Sequence, residues 1–209
     1  MEFTENLKKH KWAMITIIVL FILGIWWFAT RATYPDIYTP KPLAGNSDAT
    51  VKIVEFSDFQ CPWCGKAYPV ITQILKNYGD QVSFEYKQFP LTSLHKFAFK
   101  AAEASECAND QEKFWDYYDI LFMHQTALTT SDLKNYAEQL NLDTDAFDNC
   151  LDSDAKTKYV TADFNEGIGK GVQGTPSFFI NGQALEGVNY YDYANFSIAV
   201  ECALNQSVE

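Results

Sequence analysis

The chain has 209 residues, which is enough for one membrane segment and one domain of ordinary size. Hydrophobic residues make up 47% of the sequence and support a well-filled core, and the five cysteines favour an oxidising compartment. The net charge is −11 and the sequence has no basic stripe, so DNA and RNA are excluded as partners.

An apolar segment of 19 uncharged residues runs from Trp12 to Thr30. As a helix it would be roughly 28 Å long, close to the thickness of a bilayer core. Three lysines precede it and one arginine follows closely, so the positive-inside rule places residues 1–11 in the cytoplasm and residues 31–209 outside. We therefore predict a transmembrane anchor over residues 12–30. The alternative is a cleaved signal peptide, although this segment is long for one and no good small-residue cleavage site follows it.

Residues 31–50 contain three prolines together with glycine, asparagine and serine. This composition is typical of a linker. It predicts a spacer that holds a domain over residues 51–209 away from the membrane. A short early strand around Ile37 and Tyr38 remains an alternative for part of it.

The stretch Val51–Phe56 is short and mostly apolar, which predicts a buried strand. The sequence Cys-Pro-Trp-Cys follows at residues 61–64, and apolar residues then recur at helical spacing. We therefore predict a helix that begins near Pro62, because proline is well tolerated in a first helical turn. The pair of cysteines would lie at the N-terminus of that helix.

A cysteine at a helix N-terminus meets free backbone N–H groups and the positive end of the helix dipole. Both stabilise a thiolate, which is the nucleophile of disulfide exchange. We therefore predict that Cys61 attacks or is attacked, and that Cys64 resolves the mixed disulfide. The alternatives are a purely structural disulfide or half of a zinc site. Zinc would need a second ligand pair, and the three histidines are scattered singly along the chain.

The remaining elements follow in chain order. Alternating side chains predict a second strand over Val82–Phe89, and apolar residues at helical spacing then predict helices, with Ser131 or Asp132 as a candidate N-cap. Asn181-Gly182 between two strand-like runs predicts a hairpin, and a closing helix follows from Tyr190. The order is βαβ, a helical block, then ββα.

This order, together with the Cys61–Cys64 turn and the stretch from Gly174 to Gly182, resembles the DsbA family of extracytoplasmic thiol-disulfide oxidoreductases. The resemblance implies an α/β fold of the thioredoxin type over residues 51–209, with a helical insertion at about 91–171. The predicted transmembrane helix precedes it. The resemblance also implies that no cofactor is needed, and no metal site is expected.

The resemblance assigns roles to further residues. Thr175 and Pro176 match a cis-proline dipeptide whose backbone pairs with an extended substrate peptide. Glu55 lies in the otherwise apolar first strand, and a buried carboxylate there would accept the Cys64 proton; the alternative is a solvated glutamate at a sheet edge. Trp63 stands where the best-known members have histidine, so no imidazole stabilises the Cys61 thiolate.

The other three cysteines lie in the predicted helices. Some members of the family have a second disulfide in the insertion, which favours a bridge between Cys107 and Cys150. Two free thiols, or a pair that includes Cys202, are the alternatives. Cys202 is otherwise expected to be a small buried residue, and His95 and His124 to be surface or packing residues.

These observations predict a membrane-anchored, extracytoplasmic oxidoreductase, a monomer that introduces disulfides into exported proteins with reduced cysteines. The resemblance implies a membrane reoxidase of the DsbB or VKOR type as a partner. A reductase or isomerase of the same fold is the alternative within this class. A peptide-binding or chaperone module without catalysis is the alternative from another class.

Overall fold

The computed structural model of the protein describes residues 41–206. The predicted cytoplasmic tail (1–11) and transmembrane anchor (12–30) lie outside these residues, as does the first half of the predicted linker (31–50). Within residues 41–206, no helix combines the length and the apolarity needed to cross a membrane.

A five-stranded sheet forms the centre of the domain. Its strands are β1 (Leu43–Gly45), β2 (Val51–Ser57), β3 (Val82–Gln88), β4 (Ser177–Ile180) and β5 (Gln183–Ala184). They lie in the order β1-β3-β2-β4-β5. β2 and β3 are parallel and joined by a crossover helix, whereas the other neighbouring strands are antiparallel.

The crossover helix is α1 (Pro62–Tyr78). Between β3 and β4, where every residue is described, the chain forms five helices. These are α2 (Ala98–Asn109), α3 (Phe114–Met123), α4 (Thr130–Gln139), α5 (Thr144–Asp152) and α6 (Thr157–Gly169). The closing helix is α7 (Tyr193–Gln206). The predicted order of βαβ, helical block and ββα is confirmed.

The central strand β2 is covered on both faces. Val51 and Ile53 belong to a large core with α1 and most of the helical block, whereas Phe56 belongs to a smaller core with Phe89. Helix α6 approaches this smaller core closely: a Cβ at Gly167 would lie 2.6 Å from the Phe89 ring. Glu55 therefore lies in the middle of the sheet. The alternative of a solvated glutamate at a sheet edge is wrong.

The hairpin prediction is confirmed, because β4 and β5 pair antiparallel around Asn181 and Gly182. Both residues have positive φ angles, 49° and 80°, which the tight primed turn requires.

Three sequence predictions need correction. Part of the predicted linker is strand β1, which pairs with β3; three residues that include a glycine carry almost no strand pattern of their own. The N-cap of α4 is Thr129 rather than Ser131 or Asp132, and Asp132 completes a capping box with it. Cys202 is exposed rather than buried.

Candidate active site

Cys61 is the N-cap residue of α1, and its backbone is extended, with φ −72° and ψ 122°. Pro62 occupies the first helical turn, where no backbone donor is required. The first intrahelical bond runs from the Gly65 N–H to the Cys61 carbonyl, at 3.1 Å. The backbone N–H groups of Trp63 and Cys64 thus remain available to the Cys61 sulfur.

The Cys61 thiol is acidic in this environment: its pKa is lowered to about 5. The largest cause is a hydrogen bond with the Cys64 thiol. The Thr175 side chain and the backbone N–H groups of Cys64 and Trp63 act in the same direction, whereas burial opposes them. Cys61 is therefore ionised at neutral pH, as the helix N-terminus predicts.

Cys64 has the opposite character. It is fully buried, and burial raises the pKa of its thiol well above the usual value. The hydrogen bond with Cys61 and the charge of Glu55 raise it further. At neutral pH Cys61 is thus a thiolate and Cys64 a thiol. This difference suits Cys61 to act as the nucleophile, while Cys64 keeps its proton.

The Thr175–Pro176 peptide bond is cis and lies beside Cys61. The Cys61 Sγ atom lies 3.4 Å from the Thr175 carbonyl oxygen. Pro176 is buried, and its carbonyl accepts a hydrogen bond from the Tyr190 hydroxyl at 3.2 Å. The structure therefore brings the predicted substrate-binding dipeptide, 114 residues away in sequence, into contact with the predicted nucleophile.

Glu55 lies beneath this turn on β2 and is 1% exposed. Burial raises the pKa of its carboxyl to about 8, the Ser57 hydroxyl lowers it, and the charge of Cys61 raises it. Glu55 is thus a carboxylic acid at neutral pH, and it interacts electrostatically with both Cys61 and Cys64.

Trp63 lies on the outside of the turn and is 53% exposed. The Lys66 ammonium lies 4.1 Å from the centre of its ring, and the Tyr191 ring lies 5.6 Å away. The outer side of the site is therefore aromatic, and the indole contributes surface rather than charge.

Sequence reasoning missed the residues that hold the chain before Cys61. The buried Asp58 carboxylate accepts the backbone N–H of Gln60 at 2.7 Å and that of Leu91 at 2.8 Å. Its Oδ2 atom also lies 2.7 Å from Nδ1 of His95. Gln60 in turn accepts the backbone N–H of Phe97 at 2.7 Å. His95, expected to be a surface or packing residue, thus belongs to the support of the site.

Gln125 is a second missed residue, and it comes from the helical insertion just after α3. Its amide nitrogen donates to the carbonyls of Phe59 at 2.9 Å and Cys61 at 2.8 Å. A Cβ at Gly65 would lie 2.1 Å from the Gln125 side-chain oxygen, so the turn and this amide are closely packed. No local pattern signals such partners, because they lie more than 60 positions from the turn.

Away from the turn, Cys107 and Cys150 form a disulfide between α2 and α5, which is the pairing that the family resemblance favoured. Within residues 41–206, no group of three or more His, Cys, Asp or Glu side chains is arranged to hold a metal ion.

Comparisons with known proteins agree with this geometry. A family model described as Thioredoxin matches residues 39–199. The chain is 38% identical over 159 residues to the Na(+)/H(+) antiporter NhaA 3 of Salinispora tropica, and 34% identical over 161 residues to the Na(+)/H(+) antiporter NhaA 1 of Mycobacterium sp. strain KMS. Each match includes 76% of this chain. The chain spans about a quarter of the length of these curated relatives, 24% and 26%.

Solved structures show the same fold. Oxidised BdbD from Bacillus subtilis superposes with a TM-score of 0.71 at 26% identity, covering 79% of this chain and 93% of BdbD. α-DsbA1 from Wolbachia pipientis superposes with a TM-score of 0.69 at 22% identity, covering 81% and 93%. A thioredoxin-like oxidoreductase from Silicibacter pomeroyi gives 0.69 at 23% identity, covering 78% and 91%.

Proposed function

The chain belongs to the Thioredoxin family, whose model spans residues 39–199, and we propose that it is an extracytoplasmic oxidoreductase that introduces disulfides into exported proteins. One observation carries the proposal: an acidic Cys61 and a strongly protonated Cys64 share one turn beside a cis-proline. The DsbA-type fold of the solved neighbours supports thiol-disulfide chemistry at this turn.

In the proposed reaction, the oxidised Cys61–Cys64 disulfide is attacked at Cys61 by a substrate thiolate. The Cys61–Cys64 bond breaks as a mixed disulfide forms, and Cys64 leaves and takes up a proton. A second thiolate of the substrate then attacks its own sulfur of the mixed disulfide, so that Cys61 leaves as a thiolate. The substrate ends oxidised by two electrons and the Cys61–Cys64 pair ends reduced.

The direction of this exchange depends on how well the reduced pair is stabilised. A Cys61 thiol whose pKa is about 5 leaves as a stable anion at neutral pH. Stabilising the reduced form makes the disulfide form a stronger oxidant. This favours the oxidase over the reductase or isomerase alternatives.

The position of the Thr175 backbone beside Cys61 suggests how a substrate binds. We propose that an unfolded chain pairs with the backbone at Thr175, in the manner of strand addition, while its cysteine reaches Cys61. The rings of Trp63 and Tyr191 pack together on the turn, and the neighbouring Tyr190 hydroxyl donates to the Pro176 carbonyl. A chaperone module without catalysis would need only this surface to bind a peptide. An ionised Cys61 would contribute nothing to such binding, so its presence favours the oxidase.

The cellular setting is also a proposal. Residues 12–30 would anchor the chain, with residues 31–209 on the extracytoplasmic side, and a membrane reoxidase of the DsbB or VKOR type would regenerate the disulfide. The antiport named in the curated relatives does not extend to this chain, because the match spans about a quarter of their length.

The test is the reduction potential of the Cys61–Cys64 pair in the full chain, measured by equilibration with glutathione buffers. We expect a value near that of a strong oxidant of this fold, about −120 mV. A value near that of thioredoxin, about −270 mV, would contradict the oxidase and identify a reductase. The double variant Cys61→Ser/Cys64→Ser is the control, since its remaining cysteines should give no transition.

A further inference from the structure

A group of buried polar atoms without hydrogen bonds of ordinary geometry lies beneath Cys64. In the described part of the chain six buried side-chain atoms make no hydrogen bond of ordinary geometry, and one of them, Thr175 Oγ1, belongs to the dipeptide beside Cys61. The other five are Glu55 Oε2, Ser57 Oγ, Tyr86 OH, Gln88 Oε1 and Tyr118 OH. Buried polar atoms are nearly always satisfied, so five together require an explanation.

The sheet places four of these atoms on one face. In the parallel pair of β2 and β3, Glu55 is opposite Tyr86 and Ser57 is opposite Gln88. Residues that are directly opposite, and residues two positions apart on a strand, share a face. Tyr118 of α3 joins them, because its ring packs edge-on against that of Tyr86 with centroids 5.2 Å apart.

Cys64 faces the same group. The charges of Cys64 and Glu55 raise the pKa values of both Tyr86 and Tyr118, so the four side chains lie within electrostatic reach of one another. Ser57 interacts with Glu55, Cys64 and Tyr86, and it lowers the pKa of each. Ser57 is thus a hydroxyl that interacts with both the Glu55 carboxyl and the Cys64 thiol.

Glu55 has no cation opposite it in the sheet. Its register partners are Tyr86 on β3 and Phe178 on β4. The titratable groups that act on it from the packed elements are Cys61 and Cys64 of α1, Tyr86 of β3 and Tyr118 of α3. None of these groups is basic, so neutral hydroxyls are the donors available to an ionised Glu55.

We propose that Ser57, Tyr86 and Tyr118 are positioning residues for proton transfer between Glu55 and Cys64, acting as the hydroxyl donors that stabilise Glu55 once it is ionised. This inference rests on the proposed function, because it concerns the protonation of the leaving sulfur.

The proton step balances within the cluster. When a substrate thiolate attacks Cys61, the Cys61–Cys64 bond breaks and the electron pair stays on Cys64. The Glu55 carboxylic acid gives its proton to Cys64, so that a thiol and a carboxylate result. The hydroxyls then donate to the carboxylate, whose register partners in the sheet are not basic. In the reverse direction the carboxylate takes the proton back and frees the Cys64 thiolate.

The pH dependence follows from the Glu55 pKa, which burial raises to about 8 when the Cys61–Cys64 pair is reduced. Below this value Glu55 carries the proton that Cys64 needs, and above it the acid is lost, so release of Cys64 slows as the pH rises through about 8. Removing a hydroxyl takes a donor away from the carboxylate, which favours the protonated form. The midpoint therefore moves to higher pH in a variant that lacks a hydroxyl.

The experiment compares Tyr86→Phe, Tyr118→Phe and Ser57→Ala in the full chain. The Glu55 titration is followed by infrared difference spectroscopy between the oxidised and reduced protein, with Glu55→Gln used to identify the carboxyl band. We expect the midpoint to rise by about half a pH unit or more in each variant. The pH profile of substrate oxidation should move in the same direction.

Tyr117→Phe is the matched control. Tyr117 is also buried in α3, but its hydroxyl donates to the Leu133 carbonyl at 2.7 Å and not to the site. Its loss should leave the Glu55 midpoint unchanged. An unchanged midpoint in all three test variants, or the same rise in Tyr117→Phe, would overturn the proposal. Should a tyrosine variant fail to fold, the smaller change Ser57→Ala decides the question.

The infrared titration does not depend on activity. If the wild-type chain fails to exchange disulfides, the proposed function fails, while the effect of the hydroxyls on Glu55 is still read directly. If exchange is normal and the midpoints do not move, the inference alone fails.

Discussion

The two cysteine pairs of this domain lie at opposite ends of helices. Cys61 is at the N-terminus of α1, whereas Cys107 and Cys150 lie in the last turns of α2 and α5. A helix N-terminus offers free N–H groups and the positive end of the dipole, and a C-terminus offers carbonyls and the negative end. A thiolate is therefore stabilised in the first region and disfavoured in the second.

The two cysteine pairs also differ in the length of chain that their disulfide closes into a loop. Cys61 and Cys64 belong to a single helical turn, so closing their disulfide restricts the unfolded chain very little. Cys107 and Cys150 are 43 positions apart and join two helices of the insertion. The same covalent bond thus suits exchange chemistry in one region and stability in the other, and the backbone around each sulfur makes the difference.

Removing Cys61 should have the largest effect. In Cys61→Ser we expect disulfide exchange with a reduced peptide substrate to fall to background, because the attacking sulfur is gone. The free energy of unfolding should change by about 1 kcal/mol or less. Stopped-flow oxidation assays and urea denaturation measure the two quantities. Cys202→Ser, at an exposed position outside the site, is the control and should behave as wild type. A wild-type exchange rate in Cys61→Ser would show that disulfide exchange does not occur at this turn.

Removing the second pair should produce the reverse pattern. In Cys107→Ala/Cys150→Ala the free energy of unfolding should fall by about 4 kcal/mol, because the unfolded chain regains the freedom of a long loop. Exchange at the Cys61–Cys64 turn should persist below the new unfolding transition. Urea denaturation at constant redox state checks the first point. Loss of exchange in a protein that remains folded would show that the two regions are not separate.

Gln125→Ala tests the link between the regions, with the smallest expected effect. Two carbonyls of the active-site stretch lose their amide donor, so stability should fall by about 1 to 2 kcal/mol and the exchange rate should decrease moderately. The matched control is Gln111→Ala, whose side chain bonds the backbone of Asp143 within the insertion. It should cost similar stability and leave exchange unchanged. Equal exchange rates in Gln125→Ala and Gln111→Ala would show that the Gln125 contact does not affect disulfide exchange.

Much of the fold could be predicted because its signals are local. The strand before Cys61, the proline in the first helical turn and the Asn181-Gly182 hairpin each depend on a few adjacent residues. Strand β1 could not be predicted, because its three residues become a strand only when β3 offers an antiparallel edge. The exposure of Cys202 likewise depends on which face α7 turns towards the sheet.

The sequence alone was enough to predict the Cys61–Cys64 turn and the order of the elements, since side-chain periodicity and backbone preference act over short distances. It left open whether Glu55 is buried beneath that turn or solvated at a sheet edge. Tertiary structure alone decided what surrounds the sulfurs. His95 contacts Asp58, Gln125 donates to the Cys61 carbonyl, and Tyr118 packs against Tyr86 only when the insertion folds back onto the sheet. Such contacts join residues far apart in the chain, and the free energy that selects them comes from packing the whole core at once.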